Sequence, residues 1–90
     1  MTSLPDHVRA YSQSPTFDET TIPAALRRDH RTKAGVWGVI TILSGSLRYR
    51  IQASGTETTL TPDNPGIVEP EALHSVEPLG PVSFYVEFYR

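Results

Sequence analysis

The stretch VWGVITILSGSLRYRIQ, residues 36–52, decides the fold. Its second half alternates without a break. Leu47, Tyr49 and Ile51 point one way, and Arg48, Arg50 and Gln52 point the other. This is the period-two pattern of a half-buried strand. Ser44-Gly45 marks a tight turn before it. The first half, VWGVITIL (36–43), is a nearly continuous run of β-branched and aromatic residues. Such a run predicts a strand buried on both faces. Trp37 lies in that run and reads as core, with a pocket wall as the alternative.

Working outward, the same rhythm continues. ASGT (53–56) is a hairpin loop and TETTLT (56–61) its returning strand. PDNPG (62–66) is a dense turn signal that leads into IVE, then Pro70, then the strand HSVEPL (74–79). Gly80-Pro81 turns the chain into VSFYVEFYR, where Val82, Phe84, Val86 and Phe88 alternate with Ser83, Tyr85, Glu87 and Tyr89. Short strands at this spacing predict a sandwich or barrel. Residues 1–35 differ. Pro5, Pro15 and Pro23 interrupt them, and proline removes a backbone donor and fixes φ. VRAY and TFDETTIP suit short edge strands, and AALRR (24–28) suits one helical turn after Pro23. The expectation is one all-β domain over 1–90, with an irregular arm over 1–35 and a barrel body over 36–90.

Composition narrows the function classes. The chain has 90 residues and no cysteine. Its core is therefore modest, and disulfides and thiolate sites are excluded. Self-association as a homodimer is expected to supply further apolar burial. The formal net charge is −2, which is no footprint for nucleic acid. Arg27, Arg28, Arg31 and Lys33 cluster and read as a solvated edge. MTSLPDHVRA lacks the basic start and apolar run of a signal peptide, and no stretch reaches membrane-spanning length. The expectations are a cytoplasmic location and neither a membrane nor a nucleic-acid partner.

Chemistry-bearing residues are few. The histidines are His7, His30 and His74. His7 lies in the arm and reads as solvated. His30 and His74 stand at strand–loop junctions, where small barrels open toward ligands. Two imidazoles and one carboxylate suit zinc or non-haem iron. Glu69, Glu71 and Glu87 are the candidate carboxylates. The plainer reading makes both histidines ordinary hydrogen-bonded residues and the glutamates surface charge. No GxSxG elbow and no GxGxxG phosphate loop is present.

The blocks SPTFDETTIPAALRRDHRTKAGVWG (14–38), ILSGSLRYRI (42–51), VEPEALHSVEP (68–78) and VEFYR (86–90) carry a resemblance over nearly the whole chain. Together they resemble the small cupin family that contains YeaR and the N-terminal domain of some TehB tellurite-resistance proteins. That resemblance implies a single-domain double-stranded β-helix, a jelly-roll barrel. It matches His30 to the first histidine of the cupin metal motif and His74 to the histidine of the second. Thr32 stands where another histidine is expected, and Gly38 near the expected glutamate. Glu69, beside Pro70, is then the natural substitute ligand and Glu87 the reserve. The expected function is a small metal-binding cupin of unassigned activity, holding a divalent metal, zinc or iron(II), on His30, Glu69 and His74. The resemblance links it to tellurite or oxyanion stress. The alternative is a metal-free binding or sensor module for an unidentified small molecule, with Arg48, Arg50 or Lys33 facing inward toward a small anion.

Overall fold

The structure is a computed structural model that describes residues 4–90. Eight strands and one 3-10 turn follow in chain order: β1 (Ala10–Gln13), β2 (Phe17–Asp18), η1 (Ala24–Arg27), β3 (Trp37–Ser44), β4 (Leu47–Ile51), β5 (Thr56–Leu60), β6 (Gly66–Val68), β7 (His74–Pro78) and β8 (Ser83–Tyr89). They build two antiparallel sheets. Sheet one runs β1-β8-β3-β6, with β2 also paired to β8, and sheet two runs β5-β4-β7. The protein is a single small all-β domain. No helix among the described residues is long and apolar enough to cross a membrane.

The alternation in the sequence becomes the inner face of each sheet. Leu47 and Tyr49 of β4, Ile40 and Ile42 of β3, Val76 of β7 and Phe84 of β8 are all buried in one cluster. Side chains i and i+2 share a face, so each strand contributes one row and the two rows interdigitate. Phe84 and Leu47 are fully buried and fix the centre.

One expectation fails here. The run over 36–43 is not buried on both faces. In β3 burial alternates, with Gly38, Ile40 and Ile42 buried, Trp37, Val39 and Thr41 half-buried, and Leu43 exposed. A two-layer fold covers only one face of each sheet. Outside, Trp37, Val39 and Thr41 lie in register with Tyr89, Glu87 and Tyr85 of β8. Cross-strand contact with these neighbours half-covers them. Trp37 is thus neither core nor pocket wall.

The β3–β4 turn rests on Gly45, at φ +77°. A Cβ placed there would collide with the Pro81 carbonyl oxygen. Gly55, in the β4–β5 loop, has φ +68° but nothing within 4 Å of its Cβ position. Both alanine variants strain the backbone, and only Gly45→Ala adds a backbone clash. Gly45→Ala should therefore cost about 2 kcal/mol or more and lower Tm by roughly 8–16 °C. Gly55→Ala should cost about half as much. Thermal unfolding followed by circular dichroism checks the order, and equal costs would contradict it.

Candidate functional site

The two sheets do not fill their shared interior. An apolar cavity of about 260 Å³ remains between them. Phe17, Leu26, Ile40, Phe84, Val86 and Phe88 form much of its wall. Gly38 contributes to its room. A strand glycine leaves space where a side chain would stand, and a Cβ on Gly38 would lie 3.2 Å from the Val68 Cβ. The cavity's polar residues are Ser14, Thr32, His30 and His74.

The two histidines are brought together by the backbone. His30 N–H donates to the His74 carbonyl and His74 N–H donates to the His30 carbonyl, each at 2.8 Å. The segment after η1 is thereby pinned to β7. The imidazoles meet edge to face with centroids 5.8 Å apart, and Tyr49 makes a similar contact with His74 at 5.8 Å. His74 is buried, whereas His30 is exposed at the rim.

His74 has a defined tautomer. Its Nδ1–H donates to the Ala72 carbonyl at 3.0 Å, so in the neutral ring Nε2 carries the lone pair. Nε2 makes no hydrogen bond, and no side-chain nitrogen or oxygen among the described residues is both buried and unpartnered. Nε2 is thus left without a partner among the described residues, and the ring it belongs to borders the cavity. Tyr49 differs. Its hydroxyl donates to the Ile67 carbonyl at 3.0 Å. Burial, helped by the negative charge of Glu69, pushes its pKa up to about 12. It stays a protonated structural donor.

The candidate carboxylates do not join the histidines. Glu69 and Glu71 are exposed, and Glu71 holds φ +62° in the turn before β7. Glu87 faces away from the cavity, because Val86 and Phe88 on either side of it line the wall. Thr32 has a structural task. Its hydroxyl donates to the Val36 carbonyl at 2.8 Å and approaches the Glu69 carbonyl at 3.4 Å. Arg48 and Arg50 are exposed on the outer face of β4, so they do not face an interior anion. The cavity's apolar wall and Ser14 were not singled out in the sequence. The inward alternation of Phe84, Val86 and Phe88 was the available signal for the wall.

Residues 12–86 match the TehB-like domain family, and the chain belongs to that family. It is 36% identical over 74 residues to a probable S-adenosyl-L-methionine-dependent methyltransferase TehB of Haemophilus influenzae strain ATCC 51907, covering 77% of this chain and 26% of the relative. The corresponding protein of strain 10810 is 35% identical over 74 residues, with the same coverage. The chain thus spans about a quarter of the length of these curated relatives. The crystal structure of TehB from Haemophilus influenzae superposes with a TM-score of 0.84 at 31% identity, covering 93% of this chain and 32% of that one. A protein from E. coli strain K12 superposes with a TM-score of 0.92 over 100% of this chain and 97% of its own. At 19% identity it speaks to the fold alone.

These findings correct the metal expectation. Among the described residues no group of three or more histidine, aspartate or glutamate side chains comes together to hold a metal ion. The relatives are named for S-adenosyl-L-methionine-dependent methyl transfer, not for zinc or iron(II). A metal-binding function, and a divalent cofactor on His30, Glu69 and His74, are both overturned. The physical reason is the outward placement of Glu69, Glu71 and Glu87, which leaves two imidazoles with no acidic third donor.

Burial holds the His74 pKa below the ordinary histidine value; the Ala72 hydrogen bond opposes this, His30 adds to it and Asp29 opposes it. The unfolded chain, titrating near about 6.5, therefore binds this proton more readily than the folded protein. The contribution to stability is full above that pH and is lost as pH falls through the window below it, toward the lower folded value. Tm should be lower at about pH 5.5 than at about pH 7.5. His74→Gln should shrink that difference. A difference unchanged in His74→Gln would contradict the assignment.

Proposed function

We propose that this domain binds a compact, largely apolar molecule in the cavity between its sheets, with His74 Nε2 accepting one hydrogen bond from it. The observation that carries this reading is the cavity itself, about 260 Å³ of apolar-walled space with the His74 ring among its few polar groups. Ligand sites are typically concave, mostly apolar and fitted with a few polar anchors. The naming of the relatives as methyltransferases supports a role in methyl transfer. In that role the cavity holds the acceptor or its methylated product, since a methyl group covers a polar atom with apolar surface. The methyl donor is engaged elsewhere. S-adenosyl-L-methionine is a zwitterionic, cationic nucleoside, and no acidic residue lines this cavity. A free, hydrated oxyanion is equally unsuited to such a wall, because desolvation without paired charge is costly.

The barrel closure belongs to the same proposal. β3, β6 and β8 lie in one sheet and β4, β5 and β7 in the other, so the chain passes repeatedly between layers. This order supports a cupin-type double-stranded β-helix, with the cavity at its centre.

Phenol and benzene make a direct test by NMR titration, since they share a shape and differ by one hydroxyl donor. Both should shift resonances of Leu26, Val86 and Phe88. Phenol should bind more tightly, and His74→Phe should remove that preference, a loss of about five- to tenfold. Shifts confined to other surfaces, or a phenol preference that survives in His74→Phe, would overturn the reading.

A further inference from the structure

We infer that the outer face of sheet two, away from the cavity, carries a binding site for an oxyanion of phosphate type, formed by Arg27, Arg50 and Ser75. A second depression, of about 250 Å³, lies on this face and is bordered by Arg27, Arg48, Arg50, Glu57, Ser75 and Glu77. β4 runs between β5 and β7, and Arg50 stands in register with Ser75 on β7. η1 packs against β7, and Arg27 is its last residue. The fold thus carries a residue of the arm to the rim of a strand surface remote in sequence.

Charge pairing in the depression is uneven. Arg48 approaches both carboxylates, with its Nε 3.6 Å from Glu57 Oε1 and its Nη1 3.5 Å from Glu77 Oε2, while Glu57 also stands in register with Arg50 across the strands. Arg27 and Arg50 make no ion pair among the described residues. Two unpaired guanidiniums bordering one depression repel each other unless an anion lies between them. The Ser75 hydroxyl, half-buried beside them, has no side-chain hydrogen bond among the described residues. The unengaged groups are therefore chiefly donors, and two of them are cationic. The three arginines and two glutamates bordering the depression leave it net positive, so a ligand that satisfies these donors brings several acceptor oxygens and negative charge. Guanidinium forks match phosphate oxygens in pairs. The whole chain carries a formal charge of −2, so attraction is local to this depression and not a property of the overall field.

NMR titration of the intact chain tests the site, with inorganic phosphate and glycerol phosphate as probes and chloride at matched ionic strength as the control. Phosphate should shift the Ser75 and Arg50 amides saturably, with a Kd of about 1 mM. Arg50→Gln and Arg27→Gln should each weaken binding about fivefold or more. Both positions are exposed, so the variants should fold, and unchanged circular dichroism verifies this. His74→Phe should leave phosphate binding unaltered, which separates this site from the cavity. Tighter binding of glycerol phosphate identifies a phosphorylated organic ligand, and equal binding identifies a free oxyanion. Shifts reproduced by chloride, or an Arg50→Gln variant that binds phosphate as before, overturn the site.

Discussion

Two backbone hydrogen bonds between His30 and His74 hold together the segments that border the cavity. They tie the segment after η1 to the inner end of β7. Leu26 is thereby kept over the opening between the sheets, and Pro23 and Ala25 border the same space. η1 buries no residue fully, and its Leu26, with Ile22 before it, is only partly buried against the core, so the bridge adds a backbone anchor to a lightly packed segment. The Thr32 hydroxyl and the Glu71 N–H, which donates to the Thr32 carbonyl at 3.2 Å, extend the same tether. Backbone pairing does the holding, which leaves the His74 ring available to a ligand.

The cavity has an energetic meaning in a domain this small. Unfilled apolar space costs stability, because the lining atoms lose contacts. A 90-residue chain without disulfides has little surplus to lose. Gly38 borders that space, and a Cβ there would crowd the Val68 side chain at 3.2 Å. A void kept open under those conditions is the expected mark of a binding cavity. The His74 ring, with its Nδ1–H engaged by the Ala72 carbonyl and its pKa lowered by burial, adds polarity there without adding charge.

The outer faces follow a different logic. On sheet two, arginine, glutamate, threonine and serine alternate with the core residues and meet water. Arg48 lies between Glu57 and Glu77 across the strands, and Arg50 and Arg27 make the depression net positive. The protein thus presents two chemically opposed surfaces on the two sides of one three-stranded sheet, an apolar interior and a donor-rich exterior.

Much of this was legible in the chain. Leu47, Tyr49, Ile51 and Val82, Phe84, Val86, Phe88 announce their strands and their inner faces, because side-chain direction in a strand depends only on parity. The turn at Gly45 and the meeting of His30 with His74 were also readable, the second through resemblance. The depth of burial was not. VWGVITIL reads as a two-face core strand, yet whether its second face is covered depends on how many layers the fold has, which no local pattern records. The third ligand failed for a related reason. Glu69 is adjacent to the site in sequence, but the turn that carries Glu71 at positive φ leaves its side chain at the surface. Sequence alone determined the strands, their inner faces and the small size of the core, since these follow from residue type and spacing. Only the tertiary structure decided that the interior keeps an apolar cavity, that among the described residues no third metal-type ligand joins the two histidines, and that Arg27 and Arg50 border one depression. Each of those facts is a distance between residues far apart in the chain, set by sheet packing and not by any neighbouring residue.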